Sequence, residues 1–150
     1  MATRRKRGGI AALAVVCAVV ATASPAASDA TEARATLTII VTGLQSTEGD
    51  LRYWVYDRAE GFAESDGERI EGELPVSALD MRVVVPGLPY GEYAVAVGHD
   101  RNGDGRIAKV FGAEPRGVSN YGSPLRWYPS FDAAKFPVRA PQVEVVVSMF

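Results

Sequence analysis

From residue 36 to the end, apolar and polar residues alternate with a period of two in short runs, and turn formers separate one run from the next. The alternation predicts strands over 36–44 (TLTIIVTGL), 51–56 (LRYWVY), 69–76, 79–85, 91–98, 136–139 and 142–150 (QVEVVVSMF). No stretch carries a helical period, and 132–135 supports at most a turn. About seven short strands with turn signals between them point to an all-β fold, an antiparallel sandwich of immunoglobulin-like or transthyretin-like topology. A small closed barrel is the second choice, and the Cys…Trp…Cys signature of a true immunoglobulin domain is missing.

The clearest alternation is Tyr93, Val95 and Val97 against Ala94, Ala96 and Gly98. The large set should face the core. The small set either receives a closely packed neighbour or forms a lightly covered outer face. In 51–56, Leu51, Tyr53 and Val55 share one face, and Arg52, Trp54 and Tyr56 the other. An outward Trp54 and Tyr56 can serve as a sugar-stacking platform or as plain cover. Phe62, alone in a polar loop, is expected to plug the end of the core.

Beyond residue 98 the composition changes to His99-Asp100-Arg101-Asn102-Gly103-Asp104-Gly105. Asp100, Asn102 and Asp104 fall on positions one, three and five of the calcium-loop pattern D-x-[DN]-x-[DN]-G, and Gly105 falls on position six. In such loops the three side chains give oxygens to a hard cation, the glycine permits a sharp turn, and the next residue, here Arg106, adds its carbonyl. Ile107 stands where these loops anchor to the core. Position twelve is Phe111 rather than a bidentate glutamate, and Glu114 can replace it only if the chain bends back. The calcium affinity this allows is weak, a dissociation constant of roughly 10⁻⁴ to 10⁻³ M. The other reading is a polar turn that closes a strand.

The front of the chain sets a compartment. Arg4, Arg5, Lys6 and Arg7 precede a continuous apolar run of 12 residues, Ile10 to Ala21, and then small residues. That is the build of a secretory signal peptide, and it is shorter than the ~20 residues a spanning helix needs. Cleavage is expected after Ala23, or as late as residue 30, leaving a polar leader over 24–35 and one domain over 36–150. Cys17, the single cysteine, lies inside the apolar run, so the exported domain carries no disulfide and no transmembrane segment. Loss of those four basic residues leaves 12 Lys and Arg against 18 Asp and Glu, moving the formal charge from −2 to −6. Such a balance argues against nucleic acid and anionic membranes as partners.

Between 111 and 130 six glycines and prolines suppress all periodicity, and Asn120, Tyr121 and Trp127 lie there as candidates for contact with a protein or glycan. His99 is the chain's one histidine and the one natural general base near neutral pH. A catalytic reading would pair it with Asp100 or Asp104, yet adjacent strand residues point to opposite faces, and no nucleophile or metal-protease motif accompanies it. Three functions therefore stand beside one another: a binding domain whose loop is ordered by calcium, a metal-free partner-binding or structural module, and an enzyme built on His99.

Taken together, Val41-Thr42-Gly43-Leu44, Gly49 to Asp57 followed by Glu60-Gly61-Phe62, Gly87-Leu88-Pro89-Tyr90-Gly91-Glu92-Tyr93-Ala94, His99 to Gly105, Gly117 to Gly122 and Pro129-Ser130-Phe131-Asp132 resemble a family of exported bacterial proteins, domain of unknown function 2141. The His-Asp-x-Asn-Gly-[Asp or Asn]-Gly segment is the most specific part of that resemblance. It implies a small exported β-sandwich and brings no activity or catalytic residue with it. This chain departs from the family's pattern at Ala108, where relatives carry an acid.

Overall fold

The computed structural model describes residues 32–62, 70–107, 114–122 and 129–150. Eight strands form there: β1 (Arg34–Thr42), β2 (Asp50–Tyr56), β3 (Ile70–Pro75), β4 (Met81–Pro89), β5 (Gly91–Asp100), β6 (Arg116–Val118), β7 (Phe136–Val138) and β8 (Gln142–Ser148). A one-turn helix, α1 (Phe131–Ala134), stands before β7. The strands lie in two sheets, β4-β1-β8 and β3-β2-β5-β6, with β7 joined to the first residues of β5. This is an open sandwich, not a closed barrel. All pairings are antiparallel except β1 with β8, which run in parallel from Thr36↔Gln142 to Thr42↔Ser148.

The inner faces follow the alternation. Leu37, Ile39 and Val41 of β1 meet Met81, Val83 and Val85 of β4, Val145 and Val147 of β8, Leu51 and Val55 of β2, and Tyr93, Val95 and Val97 of β5. Each large aliphatic side chain so buried contributes about 1.5–3 kcal/mol. β1 begins at Arg34, two residues before the predicted start, and β4 runs on through Pro86 to Pro89, where a turn was expected. A bulge explains the second difference: between Ala35↔Leu88 and Leu37↔Val85, β4 spends Pro86 and Gly87 against Thr36 alone. Gly87 takes a φ of 77°, and its carbonyl accepts from Arg34 Nη1 at 2.7 Å.

One side of the sandwich is tied by reciprocal bonds between Arg116 and Phe150, N to O at 3.3 and 3.2 Å. On the opposite side β3 and β4 are the free edges among the described residues. Glu71, Glu73 and Pro75 on the first, and Pro86 with its bulge on the second, discourage further pairing.

β5 is buried on both faces. Its small face receives a second apolar cluster of Tyr56, Ala94, Ala96, Val118, Phe131 and Ala134, with Trp54, Phe62 and Tyr121 half-buried around it. Tyr56 is therefore not an outward platform; it is 2% exposed. Phe62 does not plug the main core but stacks edge-on against Tyr56 and Phe131, with ring centres 5.1 and 5.9 Å away. Ser119 holds α1 in place, accepting from Val95 N at 2.9 Å and donating to the Ala134 carbonyl at 2.7 Å. The Ser130 side chain caps the helix by accepting from Ala133 N.

Candidate functional site

At the C-terminal end of β5 the chain leaves the sheet as a curled loop built on one carboxylate. Asp100 is 1% exposed. Its Oδ1 accepts from the backbone of Gly103 at 2.8 Å and Asp104 at 3.3 Å, and its Oδ2 from Gly105 at 2.8 Å. Asn102 Oδ1 accepts from Asp104 N at 3.1 Å, while Asp104 accepts from Asn102 Nδ2 at 3.1 Å and from Arg106 N at 2.9 Å. Gly103 and Gly105 both take positive φ, 67° and 78°, which the tight curl requires and side-chain-bearing residues resist. All four predicted positions, Asp100, Asn102, Asp104 and Arg106, thus lie in one compact turn.

The turn is fastened to the sheet at two points. Arg52 of β2 donates to the Gly105 carbonyl, pairs with Glu73 of β3 at 3.3 Å, and lies 5.9 Å from the Trp54 ring centre. Trp54 Nε1 in turn donates to Glu71 at 3.1 Å. Ile107 packs on Gly98, where a Cβ would run into it, so the apolar anchor predicted at that position sits on the small face of β5.

One residue of this site went unnoticed in the sequence. Asp50 is the direct cross-strand partner of Asp100, so both carboxylates leave the sheet on the same side. Asp50 is half-buried, and no side-chain hydrogen bond or ion pair holds it among the described residues. Like charges directly opposite one another destabilise a sheet, by about 0.2–1 kcal/mol. The preceding residue, Gly49, lies against the Asp100 and Arg101 backbone with no room for a side chain. Only the register of β2 on β5 reveals the pair, and a single sequence does not contain that register.

His99 faces the other way. It is fully buried, its Nε2 meets the Glu48 carbonyl at 2.7 Å, and its Nδ1 is buried without a hydrogen-bond partner among the described residues. It ties the loop before β2 to the end of β5 and does not touch Asp100's hydrogen-bond set. Glu114 is buried just before β6. Asn120 has a φ of 59° and spends its amide on the carbonyls of Lys135, at 2.7 Å, and Ala134, at 3.4 Å. Tyr121 packs against the second cluster. Trp127 and Phe111 lie outside the described residues. Among the described residues no three His, Cys, Asp or Glu side chains gather closely enough to hold an ion by themselves. A calcium ion here would depend equally on Asn102 Oδ1 and the Arg106 carbonyl.

A protein family described as uncharacterised and conserved in bacteria, domain of unknown function 2141, matches residues 39–146. The chain belongs to this family. The match takes in the second half of β1, the whole Asp100 loop and most of β8. No curated protein and no solved structure matches the chain. No helix among the described residues is long and apolar enough to cross a membrane.

Proposed function

We propose that this member of the family is an exported binding or structural domain whose Asp100 loop takes up calcium weakly, the ion lying between the loop and Asp50. The supporting observation is the cross-strand register that sets Asp50, without a side-chain partner among the described residues, opposite Asp100 at the end of β2 and β5, beside a turn already curled by Asp100. A divalent ion turns the repulsion of that pair into attraction, and Asp50 supplies the acid that Phe111 cannot. The surface so fixed is suited to a protein or a glycan, with Trp54 half-buried alongside and the formal charge against anionic polymers. The basic head and apolar run of residues 1–23 support export.

Catalysis on His99 is the weaker reading, because a fully buried imidazole with Nε2 on a backbone carbonyl cannot reach a substrate's proton. The metal-free alternative rests on the six hydrogen bonds by which Asp100, Asn102 and Asp104 hold the turn among themselves. Isothermal titration of the purified, chelator-treated protein decides between the two. Heat from calcium that fits a dissociation constant of roughly 10⁻⁴ to 10⁻³ M supports the proposal. No heat up to several times that range leaves the metal-free module. Export is tested separately by the intact mass of protein from its native host's envelope. A chain starting between Ser24 and Thr31 agrees with it, and one retaining Met1 to Ala21 does not.

A further inference from the structure

The exposed crown of the loop is an Asn-Gly pair, Asn102-Gly103. In such a pair the backbone nitrogen of the glycine can attack Cγ of the asparagine. The Cγ–Nδ2 bond breaks, ammonia leaves with the proton from that nitrogen, and a five-membered succinimide forms. Water then opens the ring at either carbonyl, giving aspartate or isoaspartate. The net change is one amide and one water for one carboxylate and one ammonium ion. Gly103 offers no side chain to obstruct the attack, and the space a Cβ would fill there is open.

Both reacting groups are restrained in the folded loop. The Gly103 N–H points at Asp100 Oδ1, 2.8 Å away. The Asn102 side chain is held at both ends by Asp104, through its oxygen from the backbone N–H and through its nitrogen to the carboxylate, each at 3.1 Å. Attack needs the Gly103 nitrogen to lose its proton and swing toward Cγ. A buried carboxylate receiving that proton's hydrogen bond opposes both movements. We infer that Asn102 is a deamidation site guarded by Asp100, stable while the loop stays closed and reactive when it opens. The chain's other asparagine supplies an internal control: Asn120 is followed by Tyr121, and its amide is fixed on the Lys135 carbonyl.

The test is peptide mapping by mass spectrometry after incubation at mildly alkaline pH, on the folded protein and on the same protein in concentrated guanidinium. Loss of the amide at Asn102 is expected to run about tenfold or more slower in the folded protein, as for other reactions gated by local opening. Asn120 should stay intact in the folded sample. Asp100→Asn, if folded by circular dichroism, should raise the folded rate toward that of the unfolded chain. Equal rates in folded and unfolded protein overturn the inference, as does a folded Asp100→Asn variant that keeps the slow rate. If Asp100→Asn does not fold, hydrogen exchange at the Gly103 amide of the unaltered protein takes its place. Slow exchange beside a slow folded reaction upholds the guard, and fast exchange overturns it.

Discussion

Leu37 in β1 is fully buried between the two sheets, so Leu37→Ala leaves a cavity as well as losing the transfer free energy. The expected cost is about 2–5 kcal/mol, read as a lower midpoint in urea unfolding. Val95→Asp is harsher, because it places an unpaired charge on the fully buried inner face of β5, and no folded product is expected. Tyr93 adds a pH dependence. Burial pushes its hydroxyl above the ordinary value, Asp57 and Glu32 add to the rise, and Arg34 opposes it. A folded value above the unfolded one means the contribution is complete below about pH 10 and is lost as pH climbs through the folded value. Tyr93→Phe gives up the bond to the Pro89 carbonyl, costing about 1 kcal/mol at neutral pH. It should also lose less stability than the wild type between neutral and strongly alkaline pH, measured by denaturant titration at both. Facing was legible at this scale: Tyr93, Val95 and Val97 point inward as their alternation requires. Coverage of the other face was not. Tyr56 is buried and Phe62 half-buried against α1 and the Ser119 turn, which come from far along the chain and leave no local trace around residues 56 and 62.

Among the elements, the Asp100 loop carries the sharpest expectations. Asp100→Ala removes the acceptor of three backbone N–H groups and should cost about 2–3 kcal/mol. Asp104→Ala breaks bonds at the exposed rim of the turn and should cost about 1 kcal/mol or less. Asp50→Asn relieves the cross-strand repulsion and should raise the melting temperature in chelator while weakening any response to calcium. An unchanged melting temperature in chelator would show that the two carboxylates do not feel each other. The loop itself was legible, because its glycines, its asparagine and its aspartates each have one mechanical use in a tight turn. Strand β2 was legible as well, but its register on β5, which sets Asp50 opposite Asp100, was not. β6 is equally hidden, being three residues between a proline and a positive-φ asparagine, too short to show a period. The β4 bulge deceived in the other direction, since Pro86 and Gly87 mark a turn in sequence and an edge irregularity in the sheet.

For the whole molecule, the sandwich follows from strand count and alternation, whereas the parallel pairing of β1 with β8 depends on how the last strand returns and has no local signature. The same limit applies to the site: one strand and its loop supply three of the acids and amides, and the fold supplies Asp50 and Arg52 from β2. The proposed function therefore requires that assembled end of the sheet to answer to calcium as a unit. Its most direct test is the thermal unfolding of the purified protein in chelator and in about 1 mM calcium. With a dissociation constant of roughly 10⁻⁴ M, binding stabilises the fold by about 1.4 kcal/mol, from RT ln(1 + [L]/Kd), a rise of about 3–6 °C. Magnesium should give less, since it demands tighter octahedral geometry. Superimposable curves in chelator and in several times that calcium concentration would contradict the account and leave the Asp100 loop a self-contained turn.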